Sequence, residues 1–339
     1  MTERENVHGS DGLTLESCGH EQPPRRVCDV CKTAHYAFTA CSNRCLQAHL
    51  ELAHPAEPLA GALRAKRAQA RTNLRSARDW ELFAPHRERL MAVIPTEPAG
   101  GTLCVLGAGK CDDLDLPRLA DRFSVIHLVD LDGEAMERAR DRQPAPVRDA
   151  IVPHPGVDLC GLLARLDEWG EAFPDDRTLH QAVFSSARAV VDDLGGPFDV
   201  TLSTCVLSQL LLPFQDTWAT PEETWNKLDA AVTAAHLGIL AHATVAHGES
   251  CLVFDALSSE QVPLLRELQD RPSAQLKAAV EFGVRAGNML LHPDPDTMLA
   301  QIRHSRIAAP EPAPRLTGPW LWDTGAALRL VYALGFRRP

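Results

Sequence analysis

No apolar run in this 339-residue chain approaches the ~20 residues that a membrane-spanning helix requires. The polar start MTERENVHGSDG lacks the hydrophobic centre of a secretion signal, so the expectation is a cytoplasmic protein. Positive charge is in deficit: 34 Lys and Arg stand against 45 Asp and Glu, a net charge of -11. That balance disfavours undirected adhesion to nucleic acid or anionic membrane, and a partner of either kind needs a local basic patch. No segment repeats and none is of low complexity. Cysteine is sparse over most of the chain, with Cys104, Cys111, Cys160, Cys205 and Cys251 scattered singly, whereas Cys18, Cys28, Cys31, Cys41 and Cys45 crowd together. Scattered cysteines fit packing, and the crowded ones fit metal.

Four regions follow. Residues 1–17 are polar and expected to be loose; 18–58 are dense in Cys and His; 59–95 are rich in Ala, Leu and Arg, free of proline between Pro58 and Pro85, and suit a basic connecting helix. From 96 to 339 short apolar runs alternate with helical segments: TLCVLG, SVIHLVDLD, APVRDAIV, FDVTLSTC and SCLVFDA. This is the rhythm of a parallel sheet wrapped by crossover helices, a Rossmann-like α/β fold. At the end, PRLTGPWLWDTG and ALRLVYALGF read as two strands about an Asp-Thr-Gly turn, an antiparallel pair at one sheet edge.

The Cys and His residues of the second region fall into close pairs: Cys18 with His20, Cys28 with Cys31, Cys41 with Cys45, and His49 with His54. Zinc takes tetrahedral thiolate and imidazole ligands, and a Cys-x2-Cys knuckle presents two sulfurs from one turn. So short a segment has few large apolar side chains, so metal would supply most of its folding free energy. The run CSNRCLQAHLELAH resembles the second half of MYND-type and HIT-type zinc fingers, and the order of pairs resembles the cross-braced B-box. That resemblance implies two zinc ions, one on the first and third pairs and one on the second and fourth. The alternative is a single zinc on Cys28, Cys31, Cys41 and Cys45. With every position filled by protein the zinc is structural, and such fingers recognise a protein or, less often, nucleic acid.

LCVLGAGKCDDLDL joins an apolar run to a glycine loop, and 23 residues beyond Gly107 the next run ends in Asp130. Glycines let backbone approach a ligand at a strand end, and an acid closing the second strand accepts hydrogen bonds from ribose hydroxyls. A dinucleotide fingerprint needs a third glycine in G-x-G-x-x-G, and this chain continues Lys110, Cys111, Asp112. Acids at 112, 113 and 115 oppose pyrophosphate and favour a cationic amine or sulfonium. Over residues 75 to 339 the chain resembles class I S-adenosylmethionine-dependent methyltransferases, through VLGAGK, HLVDLD, GVDLCG, FDVTLSTCVLSQLL and the terminal strand pair. The resemblance implies a seven-stranded sheet with an antiparallel terminal strand. It also implies a cofactor site in which Gly107 and Gly109 line the amino acid moiety, Asp130 holds the ribose and Asp158 lies near the adenine. Read without the resemblance, Asp132 and Asp158 are helix caps.

No general base is identifiable. Ser203-Thr204-Cys205 stands where amino-methylating enzymes carry Asn/Asp-Pro-Pro-Tyr/Phe, which argues against that branch. Cys205 reads as a buried strand-end thiol rather than a nucleophile, His236, His242 and His247 as structural, and Trp320 with Trp322 as core residues on one strand face. Arg64, Arg67, Arg71, Arg75 and Arg78 recur at helical spacing, a basic stripe read as a solvated face or as a grip for RNA or an acidic protein. The leading expectation is a methyltransferase whose acceptor is a protein, an RNA or a small molecule, with the zinc module presenting it or a protein partner. The alternatives are a non-catalytic zinc-binding scaffold and, more weakly, a nucleotide-dependent oxidoreductase.

Overall fold

The computed structural model describes residues 25–27, 34–36, 79–96, 98–163, 165, 169, 173–211, 222–269, 271–286 and 294–339. The chain divides into two compact units, Met1–Ala60 and Gly61–Pro339. In the first, β1 (Arg25–Val27) pairs antiparallel with β2 (Ala34–Tyr36), Arg25 opposite Tyr36. The expected zinc ligands Cys18, His20, Cys28, Cys31, Cys41, Cys45, His49 and His54, and the arginine stripe from Arg64 to Arg78, lie outside the described residues.

The second unit opens with α1 (Asp79–Leu82) and α2 (Ala84–Val93). Pro85 falls in the first turn of α2, where its missing N–H costs no hydrogen bond, so the expected connecting helix is interrupted at Phe83. Leu90, Met91 and Ile94 are buried in the core of this unit, so α2 belongs to it. Then follow β3 (Thr102–Leu106), α3 (Leu116–Ala120), β4 (Val125–Asp130), α4 (Gly133–Asp141), α5 (Ala145–Asp149), β5 (Ile151–Pro155), α6 (Asp176–Asp193) and β6 (Phe198–Thr204). The chain closes with α7 (Glu222–His242), β7 (Thr244–Ser258), α8 (Ser273–Ala286), α9 (Pro295–His304), β8 (Arg315–Asp323) and β9 (Leu328–Arg337).

Seven strands form one sheet in the order β5-β4-β3-β6-β7-β9-β8. The first five run parallel, and β9 runs against both neighbours. The expected α/β sheet with its reversed last strand is therefore present. One expectation needs correction: in APVRDAIV only Ile151 and Val152 are strand, and Ala145–Asp149 is helical. Pro146 at the start of a turn presets helical φ, and an apolar run this short fits either period. Pro153 and Pro155 lie in β5, which tolerates them as an edge strand.

Strands buried on both faces read as continuous apolar runs, as Leu103–Leu106 of β3 does; β6 is buried along most of its length although Asp199, Thr201, Ser203 and Thr204 are polar. Cys104 and Leu106 join the core on one face, where α6 packs through Leu179, Ala182, Val183, Ala187 and Val190. Leu103 and Val105 join the other core, with Met136 and Ala139 of α4 and Trp320 of β8. Because the chain leaves β3 toward β5 and returns to β6 on the opposite side, the topology switches between β3 and β6. In open α/β sheets that switch, at the carboxyl ends of the strands, is where ligands bind.

Candidate functional site

The glycine loop leaves β3 at this switch point. Gly107 and Gly109 take left-handed φ of 78° and 51°. A Cβ on Gly107 would stand 2.4 Å from Cβ of Val206, and Thr204 Oγ1 donates to the Gly107 carbonyl at 2.9 Å, so the loop is seated directly on the end of β6. Cys111, in whose place the resembled methyltransferase loop has its third glycine, also takes a left-handed φ of 57°. The backbone retains the glycine conformation although the side chain does not permit it cheaply.

Asp130 ends β4 and is 4% exposed. Its Oδ2 accepts from the Gly109 amide and its Oδ1 from the Asp132 amide, both at 2.8 Å. Burial raises this carboxyl to about 6, against the opposing pull of those amides. The Leu131 amide also pulls on this carboxyl, so three amides address its four lone-pair sites and it retains acceptor capacity for a ribose hydroxyl. Asp132 caps α4 by accepting from the Ala135 amide at 3.1 Å.

Asp158 is placed differently. Its Oδ1 accepts from the amide and thiol of Cys160, and its Oδ2 from the Leu163 amide at 2.8 Å, so the carboxylate organises its own turn and keeps one free lone pair on Oδ2. The loop acids also divide. Asp112 pairs with Lys110 at 3.1 Å and Arg142 at 3.6 Å, and Asp115 caps α3 through the Arg118 amide. Asp113 is raised to about 7, first by burial.

Neither buried cysteine of the site is an activated thiolate. Burial pushes both Cys111 and Cys205 well above the ordinary thiol range, and nearby acids push further. His236 is buried with its Nε2 2.8 Å from Ser203 Oγ, and His242 Nδ1 is bonded to the Gly238 carbonyl, in keeping with structural roles. Among the described residues no group of three or more His, Cys, Asp or Glu is arranged to hold a metal. Nor is any described helix long and apolar enough to cross a membrane.

Arg87 escapes any reading of the sequence. Its guanidinium lies 3.6 Å over the Trp80 ring and donates to the carbonyls of Trp80 and of Asp112, fastening α2 to the glycine loop. Arg87 and Asp112 are 25 residues apart, beyond any local motif.

No protein-family model and no curated protein matches this chain. Among solved structures, the methyltransferase domain of bacterial CtHen1 is 14% identical, covers 74% of this chain and 96% of its own, and has a TM-score of 0.38. The N-methyltransferase NodS from Bradyrhizobium japonicum WM9 is 12% identical over 78% and 98%, with a TM-score of 0.37. Magnesium protoporphyrin IX methyltransferase from Synechocystis PCC 6803 with bound SAH is 11% identical over 88% and 100%, with a TM-score of 0.37.

Proposed function

We propose that this chain is an S-adenosylmethionine-dependent methyltransferase whose acceptor is a protein, an RNA or a small molecule. One observation carries the reading: at the topological switch point, Asp130 clamps the glycine loop through Gly109 while its carboxylate retains acceptor capacity. When bound, S-adenosylmethionine supplies an electrophilic methyl group on a sulfonium. The work of this chain is to hold and orient it. Asp130 receives a ribose hydroxyl, Gly107 and Gly109 admit the amino acid portion to the backbone, and Asp158 offers its remaining lone pair toward the adenine. A loop that carries Asp112, Asp113 and Asp115 offers a pyrophosphate no net positive cradle, which counts against the oxidoreductase reading.

The Cys and His block from Cys18 to His54 is proposed to hold one or two structural zinc ions and to recruit the acceptor or a protein partner. Residues 18–58 then form the zinc module, 59–95 the basic connecting region, whose last helix α2 packs into the core of the catalytic domain 96–339, in the cytoplasm.

Calorimetric titration with S-adenosylhomocysteine tests the cofactor site. Wild type is expected to bind and Asp130→Ala to lose at least tenfold in affinity, since a hydrogen bond to a charged acceptor is worth about 1.5–3 kcal/mol. Folded wild type that fails to bind at millimolar ligand would overturn the methyltransferase reading in favour of the scaffold.

A further inference from the structure

A buried polar atom without a partner costs about 1–3 kcal/mol and is rare in folded proteins. The contact between α2 and β8 holds two, and both are N–H donors. His86 is 1% exposed and lies against the indoles of Trp320 and Trp322. Trp320 Nε1 meets His86 Nδ1 at 3.0 Å; an indole nitrogen only donates, so Nδ1 accepts and the proton of the neutral ring sits on Nε2. Burial, and then the adjacent Arg87, hold the imidazole down to about 3, so it is neutral at physiological pH. Among the described residues that Nε2–H has no acceptor, and neither has the Nε1–H of Trp322. The two rings stack with centroids 4.4 Å apart and planes 16° from parallel.

This donor pair lies on the ligand side of the sheet. β8 runs parallel to β7 because β9 runs against both, so Trp322, next to the end of β8, stands at the same strand-end rim as the glycine loop. Arg87, the next residue after His86, bonds the Asp112 carbonyl of that loop at 2.8 Å, and Lys110 stands 5.9 Å from the Phe83 ring centroid. The walls are aromatic, with Phe83 edge-on to Trp322 at 5.0 Å. Both unsatisfied atoms are donors, so what they call for is an acceptor. A carbonyl or carboxylate oxygen carries only lone pairs.

We propose that His86 Nε2–H and Trp322 Nε1–H form a subsite for an sp2 oxygen, carboxylate or carbonyl, of a molecule that docks at this rim. The proposal rests on the methyltransferase reading only in identifying that molecule with the methyl acceptor.

The test is a titration of the full-length protein, carrying 15N-indole tryptophan, with benzoate and separately with benzamide, each with and without S-adenosylhomocysteine. One indole N–H resonance, assigned by its loss in Trp322→Phe, is expected to shift saturably. Trp322→Phe, which keeps an aromatic ring and deletes the donor, is expected to weaken the probe about tenfold, the size of one hydrogen bond. Stronger binding of benzoate identifies a carboxylate, and stronger binding of benzamide a carbonyl. The proposal fails if neither probe shifts that resonance saturably, or if Trp322→Phe binds the probe as wild type does. Benzoate binding without S-adenosylhomocysteine binding would sink the methyltransferase reading and leave the oxygen subsite standing.

Discussion

At Gly107 two constraints fall on one residue: a left-handed φ of 78°, and a Cβ position only 2.4 Å from Cβ of Val206. Either alone disfavours any other residue. Gly107→Ala is expected to cost about 3 kcal/mol, summing roughly 1–2 for the left-handed backbone and 1–3 for overpacking against Val206. Urea denaturation measures it, and adding Val206→Gly should recover the packing share but not the backbone share; full recovery would refute this division. Gly107, Gly109 and Asp130 were legible in the sequence because strand, turn and acid follow one another within a short span. Cys111 was not: the sequence shows a missing glycine, whereas the fold keeps the left-handed turn there and bears the strain. At Asp158 the capping role was legible from an acid that precedes a turn, and its three donors from Cys160 and Leu163 fill it, whereas its proposed adenine contact rests on the resemblance alone.

Between elements, the joint of α2 and β8 is governed by His86. Its folded-state pKa lies near 3, below the 6.5 of the exposed residue. A base depressed on folding contributes stability that is present above pH 6.5 and lost as pH falls toward 3, because the unfolded chain takes up the proton first. The slope is roughly 1.4 kcal/mol per pH unit, so between pH 7.5 and 5.0 the contribution of this residue falls by about 2 kcal/mol. Asp130 works in the other direction over part of this range, as its raised pKa stabilises the protonated folded state. Comparing wild type with His86→Gln cancels that contribution. Their denaturation free energies should lie about 2 kcal/mol closer together at pH 5.0 than at 7.5; an unchanged gap would show that His86 is protonated in the fold. That Trp320 and Trp322 share a packed face was readable from strand alternation. Their partner was not, since 234 residues separate Trp320 from His86. The run APVRDAIV failed for a third reason, a proline that starts a helix inside a pattern taken for strand.

On the scale of the whole chain, the two cores that flank the sheet are built, among the described residues, from Leu90 to Phe336, within Gly61–Pro339. The alternation of apolar runs and helices made those cores legible, because each face of a parallel sheet must be covered by sequence-adjacent helices. The N-terminal unit has no comparable source of burial in its sequence: Cys and His are dense there and large apolar residues few. Its stability is then expected to come from zinc, and that of Gly61–Pro339 from its own apolar cores. Chelation should accordingly release one or two zinc ions per chain, countable with a colorimetric dye. It should abolish protease resistance between Cys18 and His54 while leaving the main denaturation midpoint within error. A chain purified without zinc would contradict the ligand assignment, and a main transition that falls on chelation would contradict the energetic independence of the two units.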